Sequence, residues 1–363
     1  MKILLVGEYS NVHATLALGL RELGHQVTVI SNGDFFKDYP RDIDVTRKPG
    51  KLGGIRLMAK LYSLLPKLRD YDVVQLINPM FFELKAERLF WFYRYLRKHN
   101  KRVFLGAFGM DYYWVHACTF EKPLRYSDFN IDDKVRTDAE ATHYQSDWLG
   151  TAKEKLNKMI AQDCDGIIAG LYEYWACYQL AFPQKTTFIP FPIRMPEDCC
   201  TDRADASRTI IFIGINRERS VYKGTDIMLR AAEDVQQKHP DKMQLVKVES
   251  VPFAEYQKLM EGSDAILDQL YAYTPSMNPL LAMSKGIICI GGGEPENYEI
   301  INETELRPII NVAPTYDSVF HELEQLVLNP DRIPQLKRQS VEYVRKHHDY
   351  HKVAQQYLDF WTK

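Results

Sequence analysis

Short apolar runs recur along the chain and alternate with longer stretches whose apolar positions repeat every three to four residues. In the first third, residues 2–6, 26–30, 72–77 and 102–105 are rich in Val, Ile and Leu, as strands buried on both faces are. The stretches 12–23, 55–68 and 84–98 between them carry the helical period. This βαβα order predicts a parallel sheet with helices on its faces. A polar stretch, 119–149, interrupts the rhythm. Long connections without structure are uncommon in compact domains, so it reads as a functional excursion or a concealed short helix. Strand patterns resume at 166–169 and 186–189. Residues 190–207 then hold three prolines and several charges, the composition of an interdomain linker. After it the alternation restarts, with strands expected at 209–213, 244–248, 265–267, 287–290 and 308–310. The tail is helical from 333, broken near 348–350, and its last amphipathic piece is expected to pack back on the first domain. The expected division is therefore 1–195 and 205–349, with a C-terminal helix at about 350–363.

Composition narrows the function classes. A chain of 363 residues exceeds the size of one hydrophobic core, and 45% hydrophobic with 26% charged residues describes an ordinary globular protein. The net charge of −2 gives no reason to expect a nucleic-acid partner. Six cysteines (Cys118, Cys164, Cys177, Cys199, Cys200 and Cys289) form no C-x-x-C pair, which suits a reducing compartment and no zinc ribbon. The opening apolar run meets Glu8 too soon for a signal peptide, and no stretch approaches 18 apolar residues. A cytoplasmic location is expected, with any membrane contact peripheral.

The first turn, Gly7-Glu8-Tyr9-Ser10-Asn11-Val12-His13, holds one glycine where a dinucleotide fingerprint needs three, which disfavours a nicotinamide or flavin site. The same turn, with Ser10 or Asn11 as N-cap, offers helix N–H groups to an acceptor or a phosphate, and His13 stands at the helix start. In the second half, Ile211-Phe212-Ile213-Gly214 is followed by Arg217, Arg219 and Lys223-Gly224-Thr225-Asp226. Cations on a glycine-bearing loop that runs into a helix suit a diphosphate; a solvated Lys-Gly turn is the plain alternative. Gly106 to His116 follows a strand end, where ligands of α/β sheets bind, and it carries the acid and imidazole pair Asp111 and His116. A buried aromatic cluster with a satisfied histidine explains His116 equally well.

Downstream come Ser263-Asp264, then Thr274-Pro275-Ser276-Met277-Asn278, Leu281-Ala282-Met283-Ser284-Lys285-Gly286, and Gly291-Gly292-Gly293-Glu294-Pro295-Glu296. The order and spacing over about 209–311 resemble the second domain of GT-B glycosyltransferases, especially the retaining family-4-like enzymes. Residues 1–31 and 71–74 are similar, more loosely, to the first. The resemblance implies two Rossmann-like α/β domains facing a cleft and transfer of a sugar from a nucleoside diphosphate donor to a saccharide or lipid-linked acceptor, as in cell-surface polysaccharide synthesis. It implies that Arg217, with Arg219 as fallback, and Lys223 with Gly224 hold the donor diphosphate, and that Glu296 lies near the nucleotide. Ser276 and Asn278 are donor-side candidates, although Ser276 also suits a plain helix cap. Asp111 and His116 are the catalytic candidates, and Ser10, Asn11 and His13 lie on the acceptor side. The family's Glu-x7-Glu pair is replaced by Tyr273 and Leu281, so ribose recognition falls to Glu296, to Glu299, or to neither.

Two D-x-D tripeptides, Asp42-Ile43-Asp44 and Asp163-Cys164-Asp165, lie away from the expected donor clamp, and no metal or other cofactor is expected. The lysine and arginines would neutralise the leaving diphosphate. Residues 47–69 carry seven basic residues and no acid, interleaved with Leu, Ile and Met, the pattern of a helix resting on an anionic membrane surface or of an ordinary surface helix. A catalytically silent GT-B binding or assembly protein, a sugar-nucleotide 2-epimerase and a nicotinamide oxidoreductase are the alternatives.

Overall fold

A computed structural model describes residues 1–197, 207–216, 219–251 and 253–363. The strands are, in chain order, β1 (Lys2–Val6), β2 (Gln26–Ser31), β3 (Ile43–Asp44), β4 (Val73–Leu76), β5 (Arg102–Ala107), β6 (Asn130–Ile131), β7 (Lys134–Val135), β8 (Gly166–Ala169), β9 (Thr186–Phe188), β10 (Thr209–Ile215), β11 (Met243–Glu249), β12 (Ala265–Leu267) and β13 (Ile288–Ile290). The chain divides into two compact units: Met1–Pro123 with His143–Pro192 and Tyr350–Lys363, and Leu124–Thr142 with Ile193–Asp349. Sequence periodicity had no means of assigning 124–142 to the second unit, and the expected 1–195 domain kept that segment in the first.

The first unit is built on a parallel sheet of order β3-β2-β1-β4-β5-β8-β9. Ile3, Leu4, Leu5 and Val6 are wholly buried because helices cover both faces, so β1 reads as a continuous apolar run rather than an alternating one. The helices Val12–Glu22, Gly53–Leu64 and Ala86–His99 stand where the 3.6-residue period placed them. The last helix, Tyr350–Thr362, belongs to this unit: the Arg102 guanidinium donates to the Trp361 carbonyl (2.6 Å), and the Trp361 indole N–H to Gln75 Oε1 (3.2 Å).

The second unit holds the parallel sheet β11-β10-β12-β13. Along β10, Ile211, Ile213 and Ile215 enter the core on one face while Phe212 packs with Val248 and Ile266 on the other, as the two-residue period of a strand requires. The expected strand at 308–310 is only a single bridge, Ile290 to Ile310, since Pro308 has no N–H to offer a ladder. Within this unit 124–142 is anchored by buried Leu124, Tyr126, Phe129 and Asn130, and the β6-β7 hairpin turns on Asp132 in the left-handed region. Asn130 donates to the carbonyls of Leu124 (2.9 Å) and Asp132 (3.0 Å), and a wholly buried Phe of this kind contributes about 2–3 kcal/mol. Of the expected linker, 198–206 lies outside the described residues, with Cys199 and Cys200. Arg217 does too.

Candidate functional site

In an open parallel sheet, ligands bind beyond the strand C-termini where strand order reverses. In the first unit that point lies between β1 and β4. A cavity of about 780 Å³ sits there, lined by Gly7, Glu8 and Tyr9 after β1, Ile77, Asn78 and 80–87 after β4, and Met110, Tyr144, Asp147, Trp148 and Lys153 among others. Gly7 leaves the strand at φ +85°. A Cβ there would meet Ile77 Cγ2 at 2.3 Å, so only glycine fits. The chain then turns through left-handed Ser10 and Asn11.

Asn11 occupies the N-cap position of Val12–Glu22 but makes no capping bond through its side chain, and the Ser10 amide donates instead to Asp34 (2.9 Å). The helix start is capped by Glu8, whose carboxyl accepts from the amides of Ala14 (2.7 Å) and His13 (3.3 Å). Asn11 is thus the N-cap by position, as expected, while the capping bonds come from Glu8. Glu8 is 2% exposed, and burial pushes its carboxyl up to about 8 despite those two bonds. His13 is wholly buried. Its Nδ1 lies 2.8 Å from the Gly7 carbonyl, which can only accept, so Nδ1 carries the proton and the unprotonated Nε2 has no partner. Burial lowers the imidazole to about 3, and it stays neutral.

Asp111 is the N-cap of Tyr112–His116, accepting from the Trp114 amide (2.9 Å) on one oxygen and from the Tyr178 hydroxyl (2.8 Å) on the other. Burial raises its carboxyl to about 7. His116, at the far end of the same helix, pairs with Glu121 (3.2 Å) and lies between the rings of Tyr112 and Phe120. The two catalytic candidates thus stand at opposite ends of one turn of helix, each with its own partners. Neither they nor Ser10, Asn11 and His13 line the cavity; their neighbours Glu8, Tyr9 and Met110 do.

In the second unit the strand order reverses between β10 and β12; Lys223 and Gly224 follow β10, and Ser276 and Asn278 follow β12. The one-turn helix Ser220–Lys223 ends at Gly224, φ +69°, which is also the N-cap of Thr225–Lys238. A Cβ on Gly224 would lie 2.6 Å from that of Leu270, and the Leu270 amide donates to the Lys223 carbonyl (3.0 Å), fixing the turn against the β12 loop. Asp268, at the end of β12, faces Lys223 electrostatically; burial raises its carboxyl, and Lys223 and Asn278 pull it back. Asn278 donates to Tyr256 (2.9 Å) and Asp268 (3.4 Å), so Lys223, Gly224, Asp268 and Asn278 form one group. Ser276 stands at the N-cap of Met277–Ser284 without a side-chain capping bond. Asp268 was not singled out from sequence, although its place at a strand end was visible.

Glu296 belongs to a second group. Arg125 forks onto Glu296 and Glu294, reaching Glu294 at 2.7 Å, and Tyr126 donates to Glu294. Burial alone would raise Glu296; the Arg125 hydrogen bonds, a backbone hydrogen bond and the Arg125 charge together outweigh it and hold the carboxyl low. The Arg125 amide donates to the Tyr273 hydroxyl (2.8 Å), so Tyr273 is part of this latch. The carboxylates of both D-x-D tripeptides are taken by local bonds: Asp42 by Arg21, Asp44 by Arg41, Asp163 by Tyr93, and Asp165 by Arg97. Among the described residues no cluster of His, Cys, Asp and Glu is arranged to hold a metal ion, and no helix is long and apolar enough to cross a membrane.

No family model matches the sequence, and no curated protein matches it. Solved structures do. Sucrose-phosphate synthase from Thermosynechococcus elongatus superposes with a TM-score of 0.64 at 13% identity, covering 100% of this chain and 98% of that one. Anabaena HepE in complex with UDP-glucose gives 0.63 at 12% identity, covering 100% and 99%. UDP-GlcNAc 2-epimerase from Neisseria meningitidis, bound to UDP-GlcNAc, gives 0.53 at 12% identity, covering 99% of both. The chain spans 58% of the length of S. aureus TarM, solved with UDP, over 84% of its own length at a TM-score of 0.55 and 10% identity. These likenesses show an α/β protein of GT-B-like fold with two parallel sheets, a fold shared by enzymes that use nucleotide sugars.

Proposed function

We propose that this protein transfers a hexosyl group from a nucleoside diphosphate sugar to a saccharide or lipid-linked glycan, with retention of configuration and without a metal ion. The observation that carries the reading is the Lys223-Gly224 turn, held at the strand-order reversal of the second unit against the start of a 14-residue helix. There Lys223 supplies a point charge for the β-phosphate, the helix amides add their dipole, and both stabilise the diphosphate as the glycosidic bond to the donor breaks. Arg217 and Arg219 precede this turn in the sequence.

The first-unit cavity takes the acceptor. Phe81, Phe82 and Trp148 offer apolar faces to sugar rings, Asn32 and Asn78 offer amide bonds, and Glu8, protonated at neutral pH, donates to an acceptor hydroxyl. Asp111 shapes the wall that carries Met110, and His116 remains the acid-base candidate on that side. The helix Gly53–Leu64 buries Leu57 and Leu61 and exposes Ile55 and Tyr62, with Leu52 exposed at its N-cap, beside its basic residues, which fits a peripheral contact with an anionic inner membrane face near a lipid-linked acceptor.

The test incubates the protein with UDP-glucose or UDP-GlcNAc, with and without a panel of saccharide acceptors, and follows UDP release and sugar configuration by NMR. Acceptor-dependent release with an unchanged anomeric configuration supports the proposal. Conversion to the 2-epimer without acceptor favours the epimerase reading; UDP binding without turnover favours the silent one, to which the loss of both family glutamates at Tyr273 and Leu281 lends weight.

A further inference from the structure

We propose that Arg136, carried by the 124–142 segment, is a positioning residue of the donor site that sets the geometry of the Lys223-Gly224 turn. The proposal rests on the reading of that turn as the diphosphate clamp. A four-residue helix cannot hold itself together, because nucleation is unfavourable and its terminal groups outnumber its internal bonds. Ser220–Lys223 is such a helix, and Arg136 holds it from outside. The Arg136 side chain is only 9% exposed; Nη2 donates to the Val221 carbonyl (2.9 Å) and Nη1 to the Tyr222 carbonyl (3.0 Å), at the helix end where a cation also complements the dipole.

The guanidinium is itself fixed. Nε donates to Asp138 (3.0 Å), and the plane lies 4.1 Å from the ring centroid of Tyr271 on the β12 loop. A second tether from the same segment reaches the same turn: the Tyr222 hydroxyl donates to Asp128 (2.7 Å), a carboxyl raised by burial and faced by Arg136, Arg219 and Lys223. The segment therefore grips the β10 loop by main chain and side chain while resting on the β12 loop. Those are the loops that flank the strand-order reversal. Lysine does not replace this arginine, since an ammonium lacks the planar fork that bonds Asp138, Val221 and Tyr222 at once while stacking on Tyr271.

Two readouts test the assignment on the full chain. Amide hydrogen exchange of the ligand-free protein is expected to rise at least tenfold over 220–225 in Arg136→Met and in Arg136→Lys, with β10 and β12 amides unchanged. UDP affinity by calorimetry is expected to fall at least tenfold in both variants and to recover in Arg136→Ala on adding methylguanidinium but not methylammonium. Unchanged exchange over 220–225, or a rise spread evenly over the whole second unit, overturns the proposal, as does unaltered UDP affinity. If neither UDP nor any other nucleoside diphosphate binds wild type, the reading of the site falls, and the exchange arm still decides whether Arg136 sets the turn.

Discussion

Replacing Glu8 by glutamine removes the most strongly perturbed carboxyl that lines the first-unit cavity. Burial moves this group from an ordinary value of 4.5 to about 8, so the native state keeps the proton that the unfolded chain loses. The stability it supports is fully present below about pH 4.5 and is lost as pH rises through about 8. About 3.5 units at about 1.4 kcal/mol each sets an upper limit of about 5 kcal/mol for the change across that window. The amide cannot ionise. At pH 5 the Glu8→Gln variant should be less stable than wild type by about 1 kcal/mol, because an NH₂ faces one of the two helix amides that Glu8 accepts from. By pH 9 it should be the more stable of the two by several kcal/mol. All five tryptophans (Trp91, Trp114, Trp148, Trp175 and Trp361) lie in the first unit, so urea unfolding followed by tryptophan fluorescence reports on that unit by itself. A stability difference that stays flat between pH 5 and pH 9 would refute the assignment of a buried, protonated Glu8.

Gly7→Ala should destabilise the first unit by about 2–4 kcal/mol in the same assay, since it combines a left-handed backbone with a Cβ 2.3 Å from Ile77. Arg125→Met leaves Glu294 and Glu296 without their cation and should cost about 1–3 kcal/mol, read as faster hydrogen exchange at 294–298, with most of it recovered by adding Glu294→Gln. Binding to vesicles containing anionic lipid should weaken steeply as salt rises from about 50 to 300 mM and should fall in Ile55→Asp, whose wild-type side chain is 66% exposed; salt-independent binding would contradict the basic-face reading.

The fold class was legible because parallel strands covered on both faces announce themselves as unbroken Val, Ile and Leu runs, as β1 and β10 do. Gly224 and Gly7 were legible as members of strand-to-helix turns, but that no other residue fits there rests on their positive φ and the side chains packed against them. What the sequence concealed depends on distance along the chain. Arg136 meets Val221 and Tyr222 across some 85 positions, and Arg125 meets Glu296 across 171, with no periodicity linking them. Glu8 was passed over because a carboxylate after a strand looks like a surface residue until burial is known. Asp111 looked reactive for the opposite reason: its strand-end position was visible, and the Trp114 and Tyr178 bonds that occupy both its oxygens were not.

The most direct test of the donor-site account is calorimetric titration of UDP, with GDP, ADP and CDP in parallel, into wild type and Lys223→Ala. The account predicts one site per chain for at least one of these diphosphates and an affinity at least tenfold weaker in the variant. Equal affinity in the two proteins, or no binding of any of the four to wild type, would contradict it.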